Sequence, residues 1–180
     1  MSPILGIISS SRRGAPAGAY ESIATVTASG GETSLNFTSI PSTYKSLQIR
    51  GFFLGSGGGS MRVNSDSSAN YARHYLGGNG ASTYAGGQSS QSLMFTADDS
   101  GATYNSVQLI DIVDYADTSK YKTVRAINGY QTNTITGSLY MYSGLWMSTS
   151  AISSIQLGCG NFNGSFNAGT TYALYGIKGA

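Results

Sequence analysis

Cysteine and histidine are almost absent from this chain of 180 residues, which has one of each, Cys159 and His74. A single cysteine rules out a disulfide within the chain. Because a free cysteine behaves as a small hydrophobic residue, we expect a buried, unreactive thiol. Two such residues are too few for a His/Cys zinc site. The sequence therefore predicts no metal site and no cofactor.

Charge is also scarce. Only 10% of the residues are charged, whereas a typical soluble domain has about 25%. The formal net charge is +2, without the basic stripe that nucleic-acid binding requires, so no nucleic-acid partner is expected. Hydroxyl and amide side chains supply most of the polarity instead. We interpret such a surface as typical of a protein that lies against other protein.

Long hydrophobic runs are missing as well. No stretch approaches the roughly 18 apolar residues of a transmembrane helix. The apolar run at residues 4–8 is too short for a signal-peptide core, and Arg12 and Arg13 follow it rather than precede it. We expect a protein that is made in a cytoplasm, does not use the standard secretory route and has no membrane partner.

Helical periodicity is absent too, and alternation of apolar and hydroxyl-bearing residues takes its place. Leu35 and Phe37, for example, alternate with polar neighbours, as a half-buried strand requires. Short strands at regular spacing, separated by glycine-rich turns, predict an all-β, antiparallel β-sandwich of eight to ten strands over residues 20–180, jelly-roll-like in topology. The apolar run at 107–113 is expected at the centre of a sheet. Residues 64–90 are predicted to be long connections with one short strand near 71–76.

Residues 1–19 differ from the rest of the chain and are predicted to form an extended N-terminal arm. A short apolar patch is followed by two arginines and a glycine- and alanine-rich hinge. The candidate contact residues of the arm are Ile4, Leu5, Ile7, Ile8, Arg12 and Arg13. Two interpretations remain open. The arm either folds back as an edge strand of its own domain or docks onto a neighbouring subunit by strand addition.

Candidate catalytic groups are few. Asp111, Asp114 and Asp117 are spaced three residues apart, but side chains three apart on a strand point to opposite faces. The spacing matches no calcium loop or glycosidase pair, so turn carboxylates or local ion pairs are favoured. His74 lies near no recognisable nucleophile motif. The sequence predicts no catalytic residue and a protein that is not an enzyme.

Tyrosine is the one suggestive surface feature, with 13 residues in the chain. Tyrosine is frequent at interfaces because its ring face is apolar and its tip is polar. Ordinary core and edge packing is the alternative. The candidate interface aromatics are Tyr71, Tyr75, Tyr84, Tyr130 and Trp146.

Several segments of the chain are similar to one known group of proteins. They are the runs YESIATVTASGGETSLNFTSIPSTYKSLQIRG, DIVDYADTSKYKTV, SGLWMSTSAISSIQL and YALYGIKG, together with the opening SPILGI. Over nearly the whole chain the sequence resembles small structural proteins of tailed bacteriophages, including phages of cyanobacteria. These motifs are strands and turns rather than catalytic signatures.

The resemblance implies a virion protein on the outer surface of the particle, made in the host cytoplasm. The first hypothesis is a capsid decoration (cement) protein, a homotrimer whose partner is the major capsid protein. Its arm would supply apolar anchors, and its two arginines would reach acidic capsid surface. The second hypothesis is a tail-fibre or tail-tip protein that contacts other tail proteins and binds a host surface glycan. A third, weaker one is a lectin-like or adhesin module with no virion role.

Overall fold

The computed structural model describes residues 18–179, and within them the chain forms twelve β-strands and one short 3-10 turn. The elements in chain order are β1 (Tyr20–Thr27), β2 (Ser34–Phe37), β3 (Ser46–Phe53), β4 (Gly59–Val63), β5 (Tyr71–Gly78), β6 (Thr83–Gln91), β7 (Met94–Phe95), β8 (Ser106–Val113), β9 (Lys122–Gln131), β10 (Gly137–Trp146), β11 (Ile155–Cys159), the 3-10 turn (Gly160–Phe162) and β12 (Thr171–Ile177). The described part is therefore all-β, with more strands than the eight to ten predicted.

The strands form two antiparallel sheets. The large sheet has eight strands in the order β1-β12-β3-β8-β9-β10-β5-β6, and the small sheet has four in the order β2-β11-β4-β7. The predicted antiparallel β-sandwich is confirmed. β8 lies between β3 and β9, as expected for the run at 107–113.

The connectivity is that of a jelly roll with two inserted hairpins. Without β5–β6 and β9–β10, the chain alternates between a β1-β12-β3-β8 sheet and a β2-β11-β4-β7 sheet, and only the step from β4 to β7 stays within one sheet. Two four-stranded sheets wound in this way define the jelly roll. Both hairpins join the β8 edge, so the large sheet extends beyond its smaller partner.

The core lies between the two sheets and follows the period-2 alternation of the strands. In β8, Ile110 and Ile112 are fully buried while Val107 and Val113 are exposed on the opposite face. The small sheet contributes the buried side chain of Met61. Burial of such a side chain contributes about 1.5 to 3 kcal/mol, so this face-to-face packing stabilises the sandwich.

The segment 64–90 is more regular than predicted, since it contains the hairpin β5–β6. Its glycines suggest turns by composition, but several are paired with aromatic residues across the strands. Gly77 lies opposite Tyr140, and a methyl group at Gly77 would overlap the Tyr140 ring. Gly86 lies opposite Tyr75 in the same way. A strand glycine covered by a cross-strand aromatic ring is a recognised way to stabilise a sheet.

Among residues 18–179, no helix has the length and apolar character needed to cross a membrane. Residues 1–17, which make up nearly all of the predicted arm, lie outside the described residues. The six arm residues named above therefore have no described position. β1 begins at Tyr20 and forms one edge of the large sheet.

Candidate functional site

The outer face of the large sheet, which points away from the small sheet, carries a continuous band of apolar side chains. We call it the outer apolar band, and its members are Phe52, Leu76, Val107, Leu109, Ile127, Leu139 and Met141. Leu139, Phe52 and Leu76 are 62–63% exposed. A contiguous apolar patch of this kind on a protein surface marks an interaction site.

The band is built by strand register. Leu109 of β8 pairs with Ile127 of β9, Ile127 pairs with Met141 of β10, and Met141 pairs with Leu76 of β5. One row of large apolar side chains therefore crosses four neighbouring strands. A second row starts with the pair Phe52 and Val107 on β3 and β8, so the band is two residues wide along the strands.

A polar row borders the band. Asp111 pairs with Arg125, and Arg125 pairs with Ser143, which in turn pairs with His74. Asp111 also accepts a hydrogen bond of 2.7 Å from Nε2 of Gln48. An apolar centre with a polar rim is the usual anatomy of a protein interface.

Sequence reasoning missed the band, although a signal for it was present. β8 and β10 carry apolar residues on both faces, and this pattern suggests a strand covered on both sides. Within residues 18–179 only the inner face is covered, because the small sheet packs on that side. The apolar residues of the other face, such as Val107 and Met141, are left at the surface.

Two of the candidate interface aromatics are in the core. Tyr71 is 0% exposed and Trp146 is 3% exposed. The hydroxyl of Tyr71 donates to the backbone oxygen of Asp66 at 2.9 Å. The prediction of a surface position for these two residues is wrong, because both point inward between the sheets and use their polar atoms within the fold.

The other three candidate aromatics lie where the large sheet extends past the small one. Tyr84 on the edge strand β6 is 39% exposed, and Tyr75 and Tyr130 are half-buried. Tyr130 accepts a hydrogen bond of 3.4 Å from the hydroxyl of Ser138. Of the three, Tyr75 borders a cavity that also contains charged side chains.

That cavity is a cleft of about 300 Å³ between β5, β10 and the segment after β7. We call it the tyrosine cleft, and it is lined by Gly58, Arg73, Tyr75, Phe95, Ala97, Asp98, Asp99, Tyr140 and Tyr142. Sequence reasoning singled out only Tyr75 of these residues. A cue was available in β10, where Tyr140 and Tyr142 are two apart and therefore share one face.

The tyrosine rings form one wall of the cleft. The rings of Tyr140 and Tyr142 are 5.8 Å apart between centroids with planes 14° apart. Tyr84 continues this wall at 6.0 Å from Tyr140 and an interplanar angle of 10°. Because position 77 is glycine, the Tyr140 ring can lie close against the neighbouring strand β5.

Of the three aspartates of DIVDYAD, Asp114 and Asp117 come together at Lys120, and Asp111 lies apart from them. Lys120 lies 3.8 Å from Asp114 and 3.6 Å from Asp117, while Asp111 bonds to Gln48 on the outer face. The predicted local ion pairs are confirmed for Asp114 and Asp117. Hydrogen bonds from Ser119 hold the pKa of Asp117 below its ordinary value, which is typical of a turn carboxylate.

The single cysteine and histidine are far apart in the fold. Cys159 is buried, as predicted, and burial raises the pKa of its thiol to about 11. His74 is exposed on the outer face. Within residues 18–179, no group of three or more His, Cys, Asp or Glu side chains is placed to hold a metal ion.

Comparisons with known proteins leave the family open. No protein-family model matches the sequence, and no curated protein is significantly similar to it.

Proposed function

We propose that this protein is a non-enzymatic structural component of a bacteriophage virion, a decoration protein that binds the outer capsid shell and stabilises it. The virion part of the proposal comes from the sequence resemblance. The outer apolar band is the observation that supports a binding role, because it is an exposed apolar surface with a polar rim in the described part of the chain.

The size of the band indicates how attachment would work. Burying a large apolar side chain completely contributes about 1.5 to 3 kcal/mol, and the side chains of the band are already about half buried. We expect roughly 1 kcal/mol from each, against an association cost of at least about 4 kcal/mol. One copy would therefore bind weakly, and a homotrimer or the N-terminal arm would supply the additional contacts that make attachment stable.

The side chains of the outer apolar band indicate which kind of partner surface would bind it. Its members are uncharged, and only 10% of the whole chain is charged, so the complementary surface is an apolar patch on the major capsid protein. A protein that binds only the assembled shell stabilises that shell by mass action. The arm would add its apolar residues 4–8, with Arg12 and Arg13 directed at acidic capsid surface.

Co-sedimentation with empty shells of the phage whose genome encodes the chain tests the proposal. The wild-type protein is expected to bind the shells to saturation and to raise their thermal stability. Met141→Lys and Leu76→Lys place a charge in the band and should weaken binding by roughly tenfold or more. Ile135→Lys is the matched control, because Ile135 is 100% exposed but lies in the β9–β10 turn outside the band.

The outcomes separate the parts of the proposal. Failure of the wild-type protein to bind shells would contradict the decoration role. Equal binding of Met141→Lys and Ile135→Lys would contradict the role of the band. Deletion of residues 1–13 should weaken binding, and unchanged binding would remove the arm from the mechanism. Equilibrium sedimentation of the free protein tests the homotrimer.

The tail-fibre or tail-tip hypothesis is the second candidate, and the tyrosine cleft is the observation that favours it. A decoration protein is present in many copies per particle, whereas a tail-tip protein is present in few. Gel densitometry of purified particles distinguishes the two, since a few copies would favour the tail and contradict decoration.

A further inference from the structure

The tyrosine cleft lies on the inner face of the large sheet, just beyond the β7 edge of the small sheet. The inserted hairpins β5–β6 and β9–β10 carry the large sheet past the edge of the small one. The cleft lies where the large sheet extends beyond the small one. Strands β5 and β10 form its floor, and the chain after β7 forms one of its sides. This site is separate from the outer apolar band, because the two occupy opposite faces of the sheet.

One side of the cleft presents flat apolar rings. Tyr75, Tyr140 and Tyr142 belong to one cluster in which neighbouring centroids are 5.8–6.3 Å apart. Glycines on the adjacent strands, Gly77 and Gly86, allow two of these rings to lie against the sheet. An aromatic ring has a negative face, so it attracts the weakly positive C–H groups of a flat apolar ligand surface.

The polar groups of the cleft stand around these rings. The guanidinium group of Arg73 lies over the Phe95 ring, 3.6 Å from its centroid. Its Nη2 donates to Gln88, but its Nε is buried and has no hydrogen-bond partner among residues 18–179. A guanidinium group carries five N–H donors, so Arg73 can also donate to a ligand oxygen from its outer nitrogen atoms.

Acceptors are supplied by Asp98 and Asp99. The two carboxylates line the same cleft as Arg73, and each ionised carboxylate accepts hydrogen bonds from hydroxyl groups. Burial lowers the pKa of Arg73 and raises the pKa of Tyr142, and both directions indicate that water is partly excluded from the floor. Hydrogen bonds made in such a place are stronger than those in bulk water.

Aromatic rings next to hydrogen-bond donors and acceptors fit one class of ligand, the sugars. A pyranose sugar has a face of C–H groups for the tyrosine rings and a rim of hydroxyls that both donate to carboxylates and accept from a guanidinium group. Two carboxylates and one guanidinium give the cleft a formal charge of −1, which disfavours an anionic sugar. We propose that the tyrosine cleft is a binding site for a neutral pyranose, stacked on Tyr140 and hydrogen-bonded by Arg73 and Asp98.

The cleft has the same lining whether the protein serves on a capsid or on a tail. A sugar site on a decoration protein or on a tail-tip protein would hold the particle at a carbohydrate-bearing surface. The site and the outer apolar band point in opposite directions from the sheet. One face is therefore free to contact saccharide while the other contacts protein.

An NMR titration of the full-length, ¹⁵N-labelled protein tests the site. The probes are the methyl α- and β-pyranosides of glucose, galactose, mannose and N-acetylglucosamine. At least one is expected to give saturable shifts at the amides of Gly58 and Ala97, which line the cleft. Tyr140→Ala should weaken that binding roughly tenfold because it removes the stacking ring, whereas Tyr140→Phe should stay within roughly threefold.

Tyr121→Ala is the matched control, since Tyr121 is 52% exposed and lies outside the cleft. Its affinity should equal that of the wild type, and thermal unfolding checks that each variant is folded. The proposal is overturned by an absence of saturable shifts with every probe or by equal weakening in Tyr140→Ala and Tyr121→Ala. Tighter binding of methyl glucuronide than of methyl glucoside would also overturn it. Capsid binding of Tyr140→Ala should be unchanged, so failure here is distinguishable from failure of the decoration role.

Discussion

The indole Nε1 of Trp146 donates a hydrogen bond of 2.7 Å to Oδ2 of Asp66, across 80 positions of sequence. This bond joins the end of β10 to the turn before β5. The same carboxylate accepts from Nδ2 of Asn70 at 3.0 Å and from the backbone N–H of Ser68 at 2.9 Å. A buried indole needs such a partner, so Asp66 allows the only tryptophan of the chain to be placed in the core.

Asp66→Asn should destabilise the fold through this bond. Burial would raise the pKa of Asp66, but the hydrogen bonds from Trp146 and Asn70 outweigh it and lower the pKa to about 2. Because the folded pKa lies below the unfolded value of about 3.9, the stabilisation is fully present above about pH 5 and is lost as the pH falls through the folded pKa. We expect a loss of about 1 kcal/mol near neutral pH, since the carboxylate is partly exposed.

Urea unfolding measures the difference in stability between the wild type and Asp66→Asn. It is carried out at several pH values between about 6 and about 2. The difference in unfolding free energy should shrink as the pH falls, because both proteins are then neutral at position 66. Asp99→Asn is the control, since Asp99 is exposed and its carboxylate accepts a local bond from the N–H of Gly101. If the difference in unfolding free energy is constant over this pH range, the ionised carboxylate of Asp66 is not the source of the stabilisation.

Lys122→Met should lower the free energy of unfolding, although Lys122 lies near a turn. Lys122 is 0% exposed, and its Nζ donates to the backbone oxygens of Asp117, Lys120 and Thr149. Methionine fills a similar volume but leaves three carbonyl groups without their donor, so we expect a loss of about 2 to 4 kcal/mol. Thermal and urea unfolding measure it.

Lys120→Met is the matched control for this prediction. The side chain of Lys120 is 60% exposed and makes only surface ion pairs with Asp114 and Asp117, so its loss should cost at most about 1 kcal/mol. Equal stability of the two variants would show that the carbonyl cluster around Lys122 does not depend on its ammonium group.

Gly51→Ala should disturb the core. A methyl group at Gly51 would overlap the ring of Tyr172, which is 1% exposed and packs edge-on against Phe166. Overpacking of this kind costs about 1 to 3 kcal/mol. Gly78→Ala, where the nearest atom is the backbone oxygen of Ser82 at 3.3 Å, should change stability by less than about 1 kcal/mol. Similar melting temperatures for the two variants would contradict the close packing of the Tyr172 ring against Gly51.

The thiol of Cys159 should be unreactive in the native protein. It is buried, with its pKa raised to about 11, and its Sγ donates to the backbone oxygen of Ser56 at 3.2 Å. Because the thiolate is the reactive form, iodoacetamide at pH 8 should label the protein only after unfolding in urea. Ser89→Cys adds an exposed thiol on β6 that should react at once. Rapid native labelling of the wild type at Cys159 would contradict the described packing.

Local patterns predicted the strands well where apolar and polar residues alternate. β2, with Leu35 and Phe37 buried, and β8, with Ile110 and Ile112 buried, follow directly from that alternation. β6 was missed because its residues include Gly86 and Gly87 and almost all are exposed. Its strand conformation depends on pairing with β5, which no local window reveals.

The candidate surface residues were harder to place for a related reason. Alternation shows that Tyr140 and Tyr142 share one face of β10, but it does not say which face the second sheet covers. Tyr71 and Trp146 resemble the other aromatics in sequence and are buried, because the small sheet reaches their ends of β5 and β10. The cleft exists only because that sheet stops at β7.

The sequence by itself determined that the chain is all-β and has little charge, and it predicted an N-terminal arm with a short apolar patch. The reason is that side-chain alternation and composition can be read from each segment of the chain alone. Only the tertiary structure decided which apolar residues are core and which are surface. The large sheet has eight strands and the small sheet four, so part of the inner face and the whole outer face of the large sheet remain uncovered by the small one. Identical alternating patterns therefore produce a buried core at Ile110 and an exposed apolar surface at Met141.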